Sequence, residues 1–278
     1  MTRVAVVGHV EWMDFAVVDR VPRAGEIVHA VETFQEAGGG GAVAAVQLRR
    51  LAGAATFYTA LGDDELGERA REELTTRHRL DVHAVARDLP QRRGWTYLDA
   101  GHERTITVIG ERIVPHGADP LAWDGLAATD AVYFTGGDAE AARRARQARV
   151  LVATPRAADA LQASGVAIDV LVASADDAAE RAWAQRLDPP PARVVLTAGA
   201  RGGRWTAAEG RSGEWQAVEP PGPPVDSYGC GDSFAAGLAF ALGAGMPLGD
   251  ALHLAARCGA WCLTGRGPYG RQLSAEDL

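Results

Sequence analysis

Two residue types are missing outright: the chain has no lysine and no asparagine, so all 28 of its basic residues are arginine. Without lysine there is no Walker A phosphate loop, no protein-kinase lysine and no Schiff-base chemistry. An enzyme of this composition that handles phosphate must work with backbone amides, arginine and metal. Without asparagine there is no N-glycosylation acceptor. Cysteine is scarce: Cys230, Cys258 and Cys262 are an odd number, the last two one helical turn apart, which fits reduced thiols better than a disulfide framework. No CxxC, HExxH or GxSxG spacing occurs. The longest apolar run, near Phe234 to Leu248, is too short and glycine-rich to span a bilayer. No basic stripe offsets the formal charge of −8, which argues against nucleic acid or an anionic membrane as partner. The run from Thr2 to Val10 meets Glu11 and Asp14 at once and so does not read as a signal peptide. The expected location is the cytoplasm.

What is present points to an α/β protein. At 278 residues and 47% hydrophobic, the chain can bury a sizeable core, and its 33 glycines suit tight βα turns. The most informative stretch is Val225 to Gly245, VDSYGCGDSFAAGLAFALGAG. Gly229, Cys230 and Gly231 form a small-residue loop closed by Asp232, and apolar residues at helical spacing follow from Phe234. A glycine loop feeding a helix N-terminus favours an anion, because the first N–H groups are unpaired and the dipole is positive there. A carboxylate in such a loop has two readings. It caps the helix, as acids at helix starts commonly do. Alternatively it takes a proton from a hydroxyl as that hydroxyl attacks a phosphoryl group.

The remainder reads in order as follows. Val4 to Gly8 is a buried parallel strand. The segment from Glu11 to Gln35 alternates polar and apolar around a turn at Pro22 to Gly25, a half-exposed β-ribbon in which Asp14 is either a strand-edge acid or a partner for substrate hydroxyls. Four glycines, Gly38 to Gly41, precede a small-residue helix to Gly53. Ala55 to Leu61 and Asp81 to Val85 read as strands around a helix from Asp64 to Arg77, and Trp95 to Ile109 reads as a hairpin. Two inserted extended pieces, about 11–36 and 92–113, suggest a lid over the active edge of the main sheet. From Ala131 strands alternate with helices at Asp138 to Gln147, Arg156 to Gln162 and Asp176 to Arg186, and a last helix spans Ala251 to Leu263. The expected fold is a doubly wound, mostly parallel sheet flanked by helices, with a small inserted β-sheet.

With these residues in view, the chain resembles the PfkB, or ribokinase-like, family of carbohydrate and nucleoside kinases. VDSYGCGDSFAAGLAFAL stands where that family carries its C-terminal signature, an Asp-Thr-x-Gly/Ala-x-Gly-Asp loop before a small-residue helix. The glycine cluster with GDDELG (Gly62 to Gly67) resembles the other signature region, and TAGARG (Thr197 to Gly202) resembles the nucleotide-binding turn. The likeness runs over essentially the whole chain, 1–278, as one domain with a lid.

The resemblance implies ATP-dependent phosphorylation of a hydroxyl on a small sugar. Asp232 is then the general base, and the amides of Gly229, Cys230 and Gly231 form the anion hole. Asp14 with Gly39, Gly40 and Gly41 binds the acceptor, and Thr197, Gly199 and Gly202 line the ATP site. Asp177 holds magnesium through water, while Asp226 and Tyr228 stand at a monovalent cation position, with K+ the expected ion. Three departures bear on this. Val43 or Ala44 replaces the family's sugar-binding asparagine, Ser174 and Asp177 replace the asparagine and glutamate that organise the magnesium waters, and Tyr228 replaces the usual threonine. A nucleoside acceptor is the alternative within the family, with Trp12, Phe15 and Trp95 as the available aromatics; a sugar-phosphate acceptor would need paired cations near the lid, for which Arg23, Arg104 and Arg112 are present. Outside it, a catalytically silent sugar-binding or regulatory protein remains open. An exposed lid sheet has edges to cover, so a homodimer through the lid is expected. Cys230, at a helix N-terminus, is expected either to favour its thiolate and be oxidisable or merely to fit as a small residue.

Overall fold

The computed structural model describes residues 2–278. Strand β1 (Val4–Val7) is buried along its length, as a central parallel strand must be. The chain then leaves the main sheet to form β2 (Glu11–Val17) and β3 (Glu32–Gly38), which pair antiparallel. Helix α1 (Gly39–Ala52) returns it, ending at Gly53 in the left-handed conformation. Next come β4 (Thr56–Gly62), α2 (Glu65–Glu72) and β5 (Asp81–Arg87). A second excursion gives β6 (Arg93–Leu98) and β7 (Arg104–Ile109), with β6 lying parallel beside β2.

From there β8 (Ala131–Phe134), α3 (Ala139–Ala145), β9 (Val150–Ala153), α4 (Ala158–Ser164), β10 (Val170–Ser174), α5 (Ala178–Arg186) and β11 (Arg193–Thr197) alternate. Strands β12 (Gly203–Ala207) and β13 (Ser212–Trp215) close one edge antiparallel. Helices α6 (Cys230–Gly243) and α7 (Leu248–Cys262) follow. The nine-stranded sheet runs β13-β12-β11-β10-β9-β8-β1-β4-β5, and the small sheet β3-β2-β6-β7. Both faces of the large sheet are covered. Val4 and Val6 pack with α1, α6 and α7, whereas Ala5 and Val7 pack with α3 and α4. This is the expected doubly wound α/β fold with a small inserted sheet.

Helix starts differ from the expected ones for a shared reason. Asp64, Asp138 and Asp177 are not first-turn residues but caps, each accepting from backbone N–H groups of the turn that follows. The helix expected to reach Arg77 continues past Glu72 as a wider π turn over Glu73–Arg77. The last helix begins at Leu248, three residues before the expected Ala251, because Pro247 precedes it and lacks only an N–H that a helix start does not use. Among the described residues no helix is long and apolar enough to cross a membrane.

The small sheet packs against the segment that leads into α6. His102 Nδ1 sits 3.0 Å from Val225 O, and Arg104 Nη1 donates to Ser227 O at 3.0 Å. Phe15 stacks on Phe34 and meets Tyr228 edge-on. Both contacts to the 225–228 segment pin the lid to the loop that starts α6.

Candidate active site

The sheet reverses its winding between β1 and β8: from β1 the chain adds β4 and β5 on one side, then β8 to β11 on the other. Ligands of open α/β sheets bind at the carboxyl ends of the strands beside such a point. His9 follows β1, Thr135 follows β8, Arg156 follows β9, Asp177 follows β10 and Gly199 follows β11. The N-terminus of α6 arrives over this row.

Gly229 caps α6 at φ 83, a left-handed conformation that glycine adopts without strain. A side chain there would also meet Val43 Cγ1 at 3.0 Å. The N–H of Cys230 makes only a long bond of 3.5 Å to Ser227 O, and those of Gly231 and Asp232 have no protein acceptor among the described residues. Gly231 is exposed, and a Cβ on it would meet nothing within 4 Å. These amides are thus open to an anion. Asp232 stands beside them. Its Oδ1 lies 3.4 Å from Arg156 Nη1 and 2.8 Å from where a Cβ on Gly40 would be. Thr135 Oγ1 lies 3.1 Å from the same point, is fully buried and has no protein partner.

The cluster Gly38 to Gly41 therefore meets Asp232, but three of its glycines serve packing. A Cβ on Gly38 would strike Met13 and the Tyr228 hydroxyl, and one on Gly41 would lie 2.6 Å from His9 O. The Gly39 N–H donates to the Tyr228 hydroxyl at 3.0 Å. Tyr228 is buried, so its side chain fills space where the family's threonine is smaller. The motif GDDELG has a similar structural role. Asp64 accepts from Gly67 N and Gln91 N, and Gly62 and Gly67 touch so closely that a Cβ on Gly67 would lie 2.1 Å from Gly62 O.

Asp14 is not brought to Asp232. Strand side chains alternate between faces. Met13 and Phe15 face Gly38 and Tyr228, so Trp12 and Asp14 face the other way, toward α2, where Arg69 lies over the Trp12 ring. The Asp14 carboxylate accepts from Gln35 and, at 2.9 Å, from Arg93. The acid on the Met13 face is Glu11, three residues earlier. Burial raises its pKa, offset by Arg92, whose Nε is 2.9 Å from its Oε1.

The nucleotide turn forms a short 3-10 turn, Gly199–Arg201, with Gly199 at φ 55 and open space where its Cβ would be. Gly202, at φ 78, is packed: a Cβ would lie 2.1 Å from Trp215 O. Thr197 closes β11 with its hydroxyl 3.4 Å from Ala173 O. Beside it, Asp177 is engaged as the α5 cap through Ala179 N and Glu180 N. Glu180, one turn on, is the acid that reaches the row: Oε2 accepts from Ser174 N at 2.8 Å and Oε1 lies 3.5 Å from Arg156 Nε. Asp226 is buried and holds two loops together, accepting from Tyr228 N at 2.8 Å and Gly267 N at 2.6 Å. Burial raises its pKa, and no arginine or histidine lies within 4.0 Å of it among the described residues.

Sequence reasoning did not single out His9, Arg92, Arg156, Thr135 or Glu180, which come together from five separate segments. Arg112, noted only for its charge, sits at their centre, with Nη2 3.0 Å from His9 Nδ1 and 2.9 Å from Thr135 O, and Nη1 2.6 Å from Arg156 O. Burial first, then Arg112 and Arg156, holds the His9 pKa well below its usual value. The cationic partner raises nothing here. By contrast Arg156 is held more firmly protonated by Asp232. Of the two readings for Cys230, the small residue fits its surroundings better than the thiolate: the Cys262 thiol beside it and burial push the Cys230 pKa well up. All three cysteines are free thiols.

Two clefts lie away from this cluster. One of about 400 Å³ opens between α5 and the edge strands, lined by Arg181, Leu196 and Trp205. Another of about 340 Å³ lies under the lid tip beside Asp226 and Arg266. Neither is lined by Asp232, which converges instead with Arg156 and the open α6 amides.

No curated protein matches the chain by sequence. Solved structures do match its fold. Ribokinase from Thermotoga maritima superposes with a TM-score of 0.77 at 18% identity, over 100% of this chain and 98% of its own. Arabidopsis thaliana ribokinase, solved with ribose and ATP, gives 0.76 at 18% identity, over 100% and 97%. The nucleoside kinase of Methanocaldococcus jannaschii gives 0.76 at 15%, over 99% and 96%. The family model for pfkB family carbohydrate kinases matches residues 1–274. With nearly its whole length so matched and its glycine loop, acid and lid arranged as described, the chain belongs to the pfkB family of carbohydrate kinases.

Proposed function

We propose that this protein transfers the γ-phosphoryl group of ATP to a hydroxyl of a small carbohydrate, with Asp232 as general base. The observation that carries this reading is the pairing of a carboxylate with unpartnered helix amides: the Asp232 carboxylate stands at the α6 start beside the open N–H groups of Gly231 and Asp232. Asp232 accepts the acceptor's hydroxyl proton while the oxygen attacks phosphorus and the bond to the β-phosphate breaks. The Gly229–Gly231 amides stabilise the negative charge on the transferred group, and Arg156, half-exposed beside Asp232, adds a cation. Thr197, Gly199 and Gly202 line the nucleotide side. Gly40 and Gly41 bring α1 up to the acceptor side, where Glu11 takes the place that the family resemblance implied for Asp14.

Among the described residues no three His, Cys, Asp or Glu side chains cluster to cage a metal. That fits a magnesium ion held mainly by phosphate and water with a single acid behind the waters. Glu180 suits that place better than Asp177, whose Oδ1 is taken by the α5 cap. Magnesium neutralises charge on the phosphates when bound. Asp226, a buried carboxylate without a cationic partner, together with the Tyr228 carbonyl suits a monovalent cation such as K+.

A sugar fits better than a nucleoside because the aromatics are committed. Phe15 is already stacked on Phe34 at 4.5 Å, and Trp12 and Trp95 lie on the strand faces turned away from Tyr228. The lid edge strand β7 is exposed along its length, with Ile106, Val108 and Ile109 among its residues, which suits pairing of two lids; a monomeric mass by light scattering would count against that.

The experiment is ADP release from ATP and magnesium against a panel of pentoses, hexoses, their acids and phosphates, and nucleosides. Stimulation by one acceptor class that disappears in Asp232→Asn is expected. Acceptor binding without any stimulated turnover would replace the kinase reading with a binding protein.

A further inference from the structure

Resting on the kinase reading, we infer that the acceptor carries a negative charge, a carboxylate or a phosphate, received by Arg112. The segment after β7 threads this guanidinium beneath the acceptor side of Asp232. Its three hydrogen-bond partners, the carbonyls of Arg156 and Thr135 and the His9 ring, are all uncharged groups. Among the described residues no carboxylate lies within 4.0 Å of it. Three bonds leave two of its five N–H groups free.

The neighbours sharpen the point. Arg92 is neutralised by Glu11 at 2.9 Å, and Arg156 stands between Asp232 and Glu180. Arg112 is therefore a partly buried cation with no carboxylate in salt-bridge contact, beside two further cations and feeling the Glu11 charge only from beyond 4.0 Å. A charge removed from water without a counter-charge is costly, so a site that keeps one is built for an anion that arrives with the ligand. A guanidinium is also the side chain best suited to a planar carboxylate or a phosphate.

The anion belongs to the acceptor and not to ATP, because of where Arg112 is held. It bonds the ends of β1 and β8 and the Arg156 carbonyl after β9, whereas the Gly199 turn follows β11, two strands beyond β9 in the sheet order. Two strand spacings are about 10 Å. The cation nearest the transferred phosphate is Arg156. Thr135 Oγ1, buried without a protein partner next to Asp232, offers the acceptor a hydroxyl contact on the same side.

The test compares acceptors that share one carbon skeleton: an aldose, its aldonate and its terminal phosphate, for a pentose and a hexose. Binding is measured by calorimetry without nucleotide for the wild type, Arg112→Gln and Arg112→Lys, with circular dichroism to verify folding. At least one anion should bind about 10- to 100-fold more tightly than the parent aldose, the range of a charged hydrogen bond. Arg112→Gln should abolish that preference while leaving aldose binding and the KM for ATP within about twofold, and Arg112→Lys should keep part of it. Which anion is preferred separates a sugar acid from a sugar phosphate. Equal binding of aldose and both anions would overturn the inference, as would a rise in the KM for ATP with acceptor binding unchanged. Absence of turnover with every acceptor would refute the kinase reading instead, and the binding comparison would still decide the charge of the ligand.

Discussion

Two helices of this protein start on glycine-rich turns that look alike in sequence and behave oppositely. At α6 the turn is open: Gly231 has nothing within 4 Å of a notional Cβ and its amide has no protein partner. At α1 the turn is closed: Gly41 is pressed on the His9 backbone, Gly40 on Asp232, and the Gly39 amide is satisfied by Tyr228. One turn leaves its glycine and amide open; the other uses glycine to let a helix start approach a strand end and an acid. A glycine count cannot separate these roles. The neighbouring residue does, because an acid follows the open turn directly, whereas the closed turn leads into Ala42 and Val43.

That contrast can be broken by adding single methyl groups. Gly41→Ala should have the largest effect, since its Cβ would lie 2.6 Å from a backbone oxygen that cannot step aside. A loss of about 3 kcal/mol or more is expected in denaturant unfolding. Gly40→Ala meets side chains, Asp232 Oδ1 at 2.8 Å and Thr135 Oγ1 at 3.1 Å, which can move. Turnover should fall by about 100-fold while the melting temperature changes little, because the displaced group is the base itself. Tyr228→Phe removes the bond to Gly39 N and should cost about 1 kcal/mol, seen as a drop of a few degrees in the melt. Gly231→Ala should leave stability within about 0.5 kcal/mol, so any rise in its KM for ATP reports on phosphate and not on packing. A Gly231→Ala variant that unfolds as readily as Gly41→Ala would erase the distinction.

The closed side also has a pH signature. His9 has a folded pKa below its ordinary 6.5, chiefly through burial and then Arg112. As pH falls below 6.5 the unfolded chain binds this proton first, so stability present above 6.5 is lost on acidification. Melts of the wild type and His9→Gln at pH 7.5 and at pH about 5.5 should show the wild type losing more. Glu11 works in the opposite sense. Its pKa is raised above 4.5, so the cost of burying its charge is relieved as pH falls toward that value. Equal losses in both proteins would remove His9 from the account.

Much of this was legible in the chain. The alternation of elements gave the doubly wound sheet, and the strands read from Val4 to Gly8, Ala55 to Leu61 and Asp81 to Val85 are observed as Val4–Val7, Thr56–Gly62 and Asp81–Arg87. The loop before Phe234 reads as glycine, acid and helix in succession, and the structure places Asp232 in the first turn of α6 beside Arg156. Asp14 shows a limit that sequence itself could have eased. In a strand an odd offset changes face, so Glu11 with Met13 and Asp14 with Trp12 look in opposite directions. Asp177 and Glu180 are a similar pair: an acid just before a helix is a cap, and the acid a turn later is free to reach out. Arg112 was legible only as one of three cations near the lid, and His9, Arg156 and Thr135 were not legible, because what unites them is the order of strands, which places segments 103 residues apart in contact.

The most direct measurement is phosphorus NMR of ATP, magnesium and the preferred acceptor with the wild type and with Asp232→Asn. The account predicts that a new phosphate-ester signal grows as ADP appears with the wild type. It should slow by about 10²- to 10⁴-fold in the variant, which still binds both substrates. Ester formation at the wild-type rate in Asp232→Asn would contradict the assignment of the base. Bound acceptor and ATP with no ester in either protein would contradict the phosphoryl transfer itself.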